Sequence, residues 1–467
     1  MRFLKPLCLL LCLVLLMQPV CAAETDLPVA SGCRTVDAAY PLGGSDKLLK
    51  TAKSAVVYER STGTLLYAYN IDQRIYPSSM VKLMTALVAL EHGQLSDMVT
   101  VTQSALNKVE WNSVSVGLKA GEELTLEALL YCMIVASAND AAVVIAEYIG
   151  GNLATFIAEM NDMAIRLGCE DTHFSNVTGL HDDDTYTTTR DTLRILETGL
   201  QNEDFRRIFQ TASYSMEATN KSPARTINTT NDMMRNTKYR DDRVTGGKTG
   251  ATSQSGRCLA VTANVGNMEL VTIVMGADAL YEPNGISLKE NYSFYETRDL
   301  LNYAQKNFAC NQLFYAGQVI DSYHVVNGSN EVAATPAEET RCVLPLGLST
   351  ADLTWSYDRS VQLTAPLSKG QKVTQIAVWL GNICLAVTDL QAMMDVGVYT
   401  PYQHNISNAG NMDDDGGEQI LAVVLSIVGG LAVLILIAML AIRAVNTAMI
   451  KARVRRRRRN RRRNRHA

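Results

Sequence analysis

Metal-binding side chains are few and badly placed for the work. Six histidines are scattered through 467 residues, and the ten cysteines include three in the first 23 residues. The rest (Cys33, Cys132, Cys169, Cys258, Cys310, Cys342 and Cys384) are far apart and odd in number. None sits at zinc-site spacing. The sequence therefore points to no metal and no cofactor, and most of these cysteines read as small apolar core residues, with room for one or two disulfides outside the cell. His181-Asp182-Asp183-Asp184 is rich in ligand atoms but reads as a solvated loop. Low-complexity composition is missing too. Hydrophobic residues make up 47% and charged residues 19%, which is globular and excludes a disordered chain. A basic surplus is absent from the long middle of the chain. Without its two ends, acidic residues exceed basic ones by roughly 18, a surface that repels nucleic acid.

Long apolar runs are confined to those ends. Residues 1–23 begin with Arg2 and Lys5, continue with an apolar stretch from Leu7 to Met17, and close on Cys21, Ala22 and Ala23. That order predicts a secretory signal peptide. Ile420 to Ile442 carries no charge, and a helix of that length spans a bilayer core. Asp413, Asp414, Asp415 and Glu418 precede it, and an arginine-rich run from Arg453 to Arg465 follows. The positive flank predicts a single pass across a bacterial cell membrane, with a cytoplasmic tail and everything earlier outside. The expected organisation is a signal peptide (1–23), a flexible lead (24–45), a catalytic domain (46–308), a small β-rich domain (309–400), a polar stalk (401–418), a transmembrane helix (419–442) and a basic tail (443–467).

Between the ends, periodicity predicts an α+β chain. Two strands, Ser54 to Glu59 and Thr64 to Asn70, flank the turn Ser61-Thr62-Gly63. A helix opens at Pro77-Ser78 and closes at Gly93. Helical runs follow at Leu124 to Val135, Asp140 to Tyr148, Leu153 to Leu167 and Asp191 to Leu200. Strands return near Leu259 to Val265 and Glu269 to Met275, and a helix near Glu296 to Asn307. After Cys310 the texture becomes short and β-rich, at Gln318 to Val325, Arg341 to Leu344, Ser360 to Leu363, Val373 to Leu380 and Ile383 to Thr388.

Three short motifs carry chemistry. In Ser79-Met80-Val81-Lys82 the serine and lysine lie one helical turn apart on one face. Ser79 sits at a helix start, where free N–H groups and the dipole favour developing negative charge. A serine hydroxyl needs a base, and Lys82 can be one if burial and a neighbouring cation lower its pKa. Taken alone, the pair could equally be a helix cap and an exposed lysine. Ser137-Ala138-Asn139 falls in a break between apolar helices, where a hydroxyl can relay a proton and an amide can hold a substrate backbone. By itself it is an ordinary capped loop. Lys248-Thr249-Gly250 follows Gly246-Gly247 and leads through Ala251-Thr252 towards a strand. Lysine and threonine can grip a carboxylate, and glycine lets a strand edge approach a ligand closely. On its own this is a glycine-rich turn.

Together, and in this order, the three are far more specific. With Phe174-Ser175-Asn176-Val177-Thr178-Gly179-Leu180 and Thr189-Arg190-Asp191, the stretch from Ser54 to Gln305 resembles the low-molecular-mass penicillin-binding proteins, the serine D-alanyl-D-alanine carboxypeptidases. Residues 310–399, with Ala365-Pro366-Leu367-Ser368-Lys369-Gly370-Gln371, resemble that family's C-terminal β domain. The resemblance implies a β-lactamase/transpeptidase-like fold, an antiparallel sheet with a helical subdomain, followed by a small all-β domain and here a transmembrane helix. It implies that Ser79 attacks the bond between two terminal D-alanines of peptidoglycan stem peptides, with Lys82 as base and Ser137 as relay. Asn139 would hold the substrate backbone. Lys248 and Thr249 would bind the carboxylate, Gly250 would line the edge with Thr252, and Ala251 would share an oxyanion hole with Ser79. β-Lactams would act as covalent inhibitors. Two departures stand out: no arginine falls between Asp278 and Glu296, where some members bind the carboxylate, and a spanning helix replaces the usual amphipathic anchor. Alternatives are a β-lactamase or DD-endopeptidase on the same fold, although no deacylating glutamate is identifiable by motif, or a non-catalytic penicillin- and wall-binding protein.

Overall fold

The structure is a computed structural model that describes residues 41–43, 48–284 and 288–400. The expected signal peptide, stalk, membrane helix and basic tail lie outside the described residues. Numbering only the strands of the two main sheets, the first sheet contains β1 (Ser54–Glu59), β2 (Thr64–Tyr69), β3 (Val244–Thr252), β4 (Gly256–Val265) and β5 (Met268–Ala277). They are antiparallel in the order β2-β1-β5-β4-β3. Both chain extremes of this region therefore meet at the sheet centre, and β3 is an open edge.

The sheet is buried on both faces, which explains its near-continuous apolar strands. One face carries Leu66, Leu259, Val261 and Val274 against the helix α8 named below, through Leu300 and Leu301. The other carries Val56, Ala260, Val271 and Ile273 against the helical layer. That layer consists of α1 (Val81–His92), α2 (Gln103–Asn107), α3 (Leu126–Val135), α4 (Asn139–Gly150), α5 (Leu153–Arg166), α6 (Thr189–Gln201) and α7 (Glu203–Phe209); α8 is Tyr292–Asn307. Helices α1, α3 and α4 are apolar nearly all round because they form the middle of this layer.

Several boundaries differ from the sequence reading. Leu124 does not open a helix. Glu123–Thr125 pairs as a strand with Met98–Thr100, and Thr125 caps α3 through the Ala128 N–H. Helix α6 starts at Thr189 because Thr188 accepts a hydrogen bond from the Asp191 N–H. Helix α8 starts at Tyr292, capped by Asn291. A ribbon of Ser213–Met216 with Arg225–Asn228 has no counterpart in the sequence reading.

From Phe308 to Ala392 the chain forms strands joined by turns, with one 3-10 turn at Thr350–Asp352. Phe308–Phe314 pairs with Thr340–Pro345. A second sheet is formed by β6 (Asp321–Tyr323), β7 (Val332–Pro336), β8 (Thr354–Tyr357), β9 (Lys372–Leu380) and β10 (Ile383–Ala392) in the order β6-β7-β10-β9-β8. Its core holds Val332, Ile376, Val378, Leu385 and Leu390. The strand expected at Ser360 to Leu363 shrinks to Leu363–Thr364, which pairs in parallel with Val325–Val326. Of the cysteines, Cys132, Cys169, Cys258, Cys310 and Cys342 are free and buried, and Cys384 is disulfide-bonded.

Candidate active site

The site forms where the helical layer meets the open edge of the first sheet. The chain enters α1 through a short 3-10 turn, Ser78–Met80. Ser78 is held at φ +47°, and Gly250 and Gly179 explain how. A side chain at Gly250 would come within 2.2 Å of Ser78 Oγ, and one at Gly179 within 1.9 Å of Ser78 O. Only glycine lets β3 and the 176–180 turn close on the head of α1. Ser79 is thereby half-buried between them.

Lys82 is fully buried, and its Nζ lies 3.2 Å from Ser79 Oγ. It also donates to the Thr178 carbonyl at 2.5 Å. That carbonyl is presented by a turn in which Asn176 Oδ1 accepts from the Thr178 and Gly179 N–H groups. Thr85 anchors the same turn by donating to the Val177 carbonyl. Lys248, also fully buried, points from β3 to Ser137 Oγ at 2.7 Å and to its neighbour's carbonyl, Thr249 O, at 2.7 Å. Ser137 occupies the left-handed region at φ +63°, a strained position for a residue with a side chain, in the break between α3 and α4. Asn139 is buried beside it at the start of α4, and its N–H donates to the Val114 carbonyl. Asp140 fixes the same crossing. Its carboxylate accepts from Ser115 Oγ and from the N–H groups of Val116 and Leu118.

Two buried ammonium groups without a carboxylate bonded to either are costly, and the cost appears in their protonation. Burial first, then the Lys248 charge, pulls the Lys82 pKa well below its usual value, with Asp140 opposing. Burial lowers Lys248 to about 7. A lysine whose charged form is disfavoured in this way, 3.2 Å from a hydroxyl at a helix start, can take that hydroxyl's proton.

The structure thus gathers Ser79, Lys82, Ser137, Asn139 and Lys248 around the Ser78–Met80 turn and the β3 edge. Thr249 is half-buried. Its Oγ1 lies 2.5 Å from Thr230 Oγ1. Gly250 serves by closeness. Ala251 is exposed, and Thr252 is tied down by Ser255 through its N–H and its hydroxyl. Sequence reasoning missed Asp140 and the Thr178 carbonyl. Asp140 had a signal, since it directly follows Asn139 in the first turn of an apolar helix. Asn176 followed at short range by Gly179 was the signal for the turn.

Comparison with known proteins places the chain in a family. The family model described as D-alanyl-D-alanine carboxypeptidase matches residues 45–279. That of the penicillin-binding protein 5 C-terminal domain matches residues 308–398. The D-alanyl-D-alanine carboxypeptidase DacF of Bacillus subtilis is 29% identical over 359 residues, covering 75% of this chain and 87% of its own. The D-alanyl-D-alanine carboxypeptidase DacA of Haemophilus influenzae is 30% identical over 359 residues, covering 74% and 86%. The solved structure of penicillin-binding protein 5 from Haemophilus influenzae matches with a TM-score of 0.62 at 28% identity, over 76% of this chain and 100% of that one. The chain belongs to the D-alanyl-D-alanine carboxypeptidase family, serine hydrolases that bear the penicillin-binding fold.

Proposed function

We propose that this enzyme removes the terminal D-alanine from peptidoglycan stem peptides through an acyl-enzyme on Ser79. The activity follows from the family; the roles of the residues are our reading of the geometry. Lys82, whose charged form burial disfavours, takes the Ser79 proton as Oγ attacks the carbonyl of the penultimate D-alanine. Negative charge on that oxygen is met by the N–H groups of Ser79 and Ala251, a contribution of about 3 kcal/mol or more in comparable sites. The proton passes by Ser137, which bonds to Lys248, to the departing D-alanine nitrogen. Asn139 holds the peptide backbone, Lys248 and Thr249 bind the terminal carboxylate, and Gly250 and Thr252 line the edge of β3. Water then cleaves the ester and returns the proton to Ser79. The observation that carries this reading is the 3.2 Å approach of buried Lys82 to Ser79.

A β-lactam mimics the scissile bond and would stop at the ester. Removing the fifth residue of the stem would limit cross-linking and so affect cell shape. The likeness to the C-terminal domain of penicillin-binding protein 5 is the support for a spacer role of residues 309–400, and the charge pattern of the two ends is the support for secretion and a single-pass anchor with the site on the outer side. Release of D-alanine from a peptide ending in D-Ala-D-Ala, by protein carrying Ser79 but not by Ser79→Ala, is the expected result. Release that survives the substitution would remove Ser79 from the mechanism.

A further inference from the structure

Thr230 was singled out by neither motif nor periodicity, yet it touches the third motif directly. Three features place it. Gly247 has no side chain, and a side chain there would come within 2.4 Å of Asn231 Nδ2, so residues 229–231 lie flush against β3. The Thr230 N–H donates to the carbonyl of Val135, at the end of α3 and two residues before Ser137. Its flanks are rigid: Thr229 and Asn231 are buried, the Thr229 N–H donates to the Ala212 carbonyl, and the Asn231 N–H donates to Thr229 Oγ1. Thr230 is thus bonded to the serine-bearing helix end through its backbone and to Thr249 through its hydroxyl, and it remains half-buried like Thr249.

We infer that Thr230 and Thr249 act as one hydroxyl pair that reads the substrate's terminal carboxylate, with Thr230 as a specificity-determining partner. The proton count carries the argument. Two hydroxyls 2.5 Å apart hold two protons, and their mutual bond uses one. The other is left for an outside acceptor, and the inner hydroxyl polarises it. A carboxylate is the acceptor that benefits most, because hydrogen bonds to a charged group are about twice as strong as neutral ones. An amide or ester in the same place offers a weaker acceptor. The pair therefore distinguishes a free C-terminus from a blocked one, which is the distinction a carboxypeptidase must make. This inference rests on the proposed carboxylate role of Thr249.

The test measures kcat/KM of the full chain for one D-Ala-D-Ala peptide as the free acid and as its C-terminal carboxamide, with release followed by mass spectrometry. Thr230→Val is expected to lower the value for the acid roughly tenfold or more, and for the carboxamide by less than about threefold, so the acid-to-amide ratio collapses. Thr230→Ser should restore the ratio. Equal losses on both substrates, or an unchanged ratio, would reduce Thr230 to a structural support and overturn the inference. A wild-type protein that releases no D-alanine from the acid would instead remove the underlying functional reading, so the two failures are told apart.

Discussion

Between Ser54 and Asn307 the core encloses Lys82, Lys248, Glu59, Glu122, Asp140, Asp191 and Glu296. Between Phe308 and Ala392 the buried polar side chains, among the described residues, are Thr335, Thr340 and Thr374. The two regions solve different problems. The β unit buries an apolar core, which stabilises a fold at least cost. The first region buries charge, and its charges fall into two kinds. The carboxylates are richly bonded: Glu59 accepts from Ser61, from Thr62 and from the Glu269 N–H, and Glu296 from the Thr51 and Ala52 N–H groups. Each lysine donates to one hydroxyl and one carbonyl. Buried ammonium groups so thinly compensated are a burden on stability, which makes them the clearest structural mark of function.

The comparison breaks most sharply at Ser79. Ser79→Ala is expected to lower kcat/KM for D-alanine release by about 10^4-fold or more while leaving the melting temperature nearly unchanged. Lys82→Arg introduces a permanent cation and loses the base, so a drop of about 10^3-fold is expected in the same assay. A smaller loss there would mean that another group takes the serine's proton. In the β unit the effects should reverse. Leu390→Ala empties a fully buried site and should cost roughly 2–5 kcal/mol in denaturant unfolding, with kcat on soluble peptide unchanged. A parallel loss of kcat would show that the β unit shapes the site.

Asp140→Ala sharpens the contrast from within the first region. It frees Ser115 and the Val116 and Leu118 N–H groups, and a destabilisation of about 1–3 kcal/mol with a lower kcat is expected. The first region should also set the pH dependence of stability. Both lysines have folded pKa values below their unfolded ones, so the unfolded chain holds protons that the folded chain has released. The Lys248 contribution to stability should therefore rise with pH between about 7 and the ordinary lysine range near 10.4, by at most about 1.4 kcal/mol per pH unit, and Lys82 adds in the same direction. Activity should fall on the acid side as Lys82 takes up a proton. Replacing Lys248 by Met should flatten the stability slope; an unchanged slope would place the titration elsewhere.

Much of this was legible in the sequence because it is local. Ser79 and Lys82 share a helix face by spacing alone, and Ser137 falls in a break between two apolar runs. The α+β order, and the helices Val81–His92, Leu126–Val135, Asn139–Gly150 and Leu153–Arg166, follow from periodicity to within a few residues, whereas the short helix Gln103–Asn107 was not expected. What sequence hides is pairing across distance. Nothing local to Thr230 says that it meets Thr249, and nothing in Thr178 says that its carbonyl receives Lys82. The Ser213–Asn228 ribbon was missed because its strands are short and polar, and the strand expected from Ser360 failed because Asp358 and Ser360 bond to each other in a turn instead. The glycines are an intermediate case. Gly179 and Gly250 were visible as residues of known stretches, while their reason, close approach to Ser78, needed the structure.

The central claim is that three motifs distant in sequence make one site with Ser79 as its nucleophile. Peptide mass spectrometry after incubation with penicillin tests it most directly. The account predicts a single penicilloyl adduct on the peptide containing Ser79, absent from Ser79→Ala. An adduct on any other residue, or labelling that persists in the variant, would contradict it.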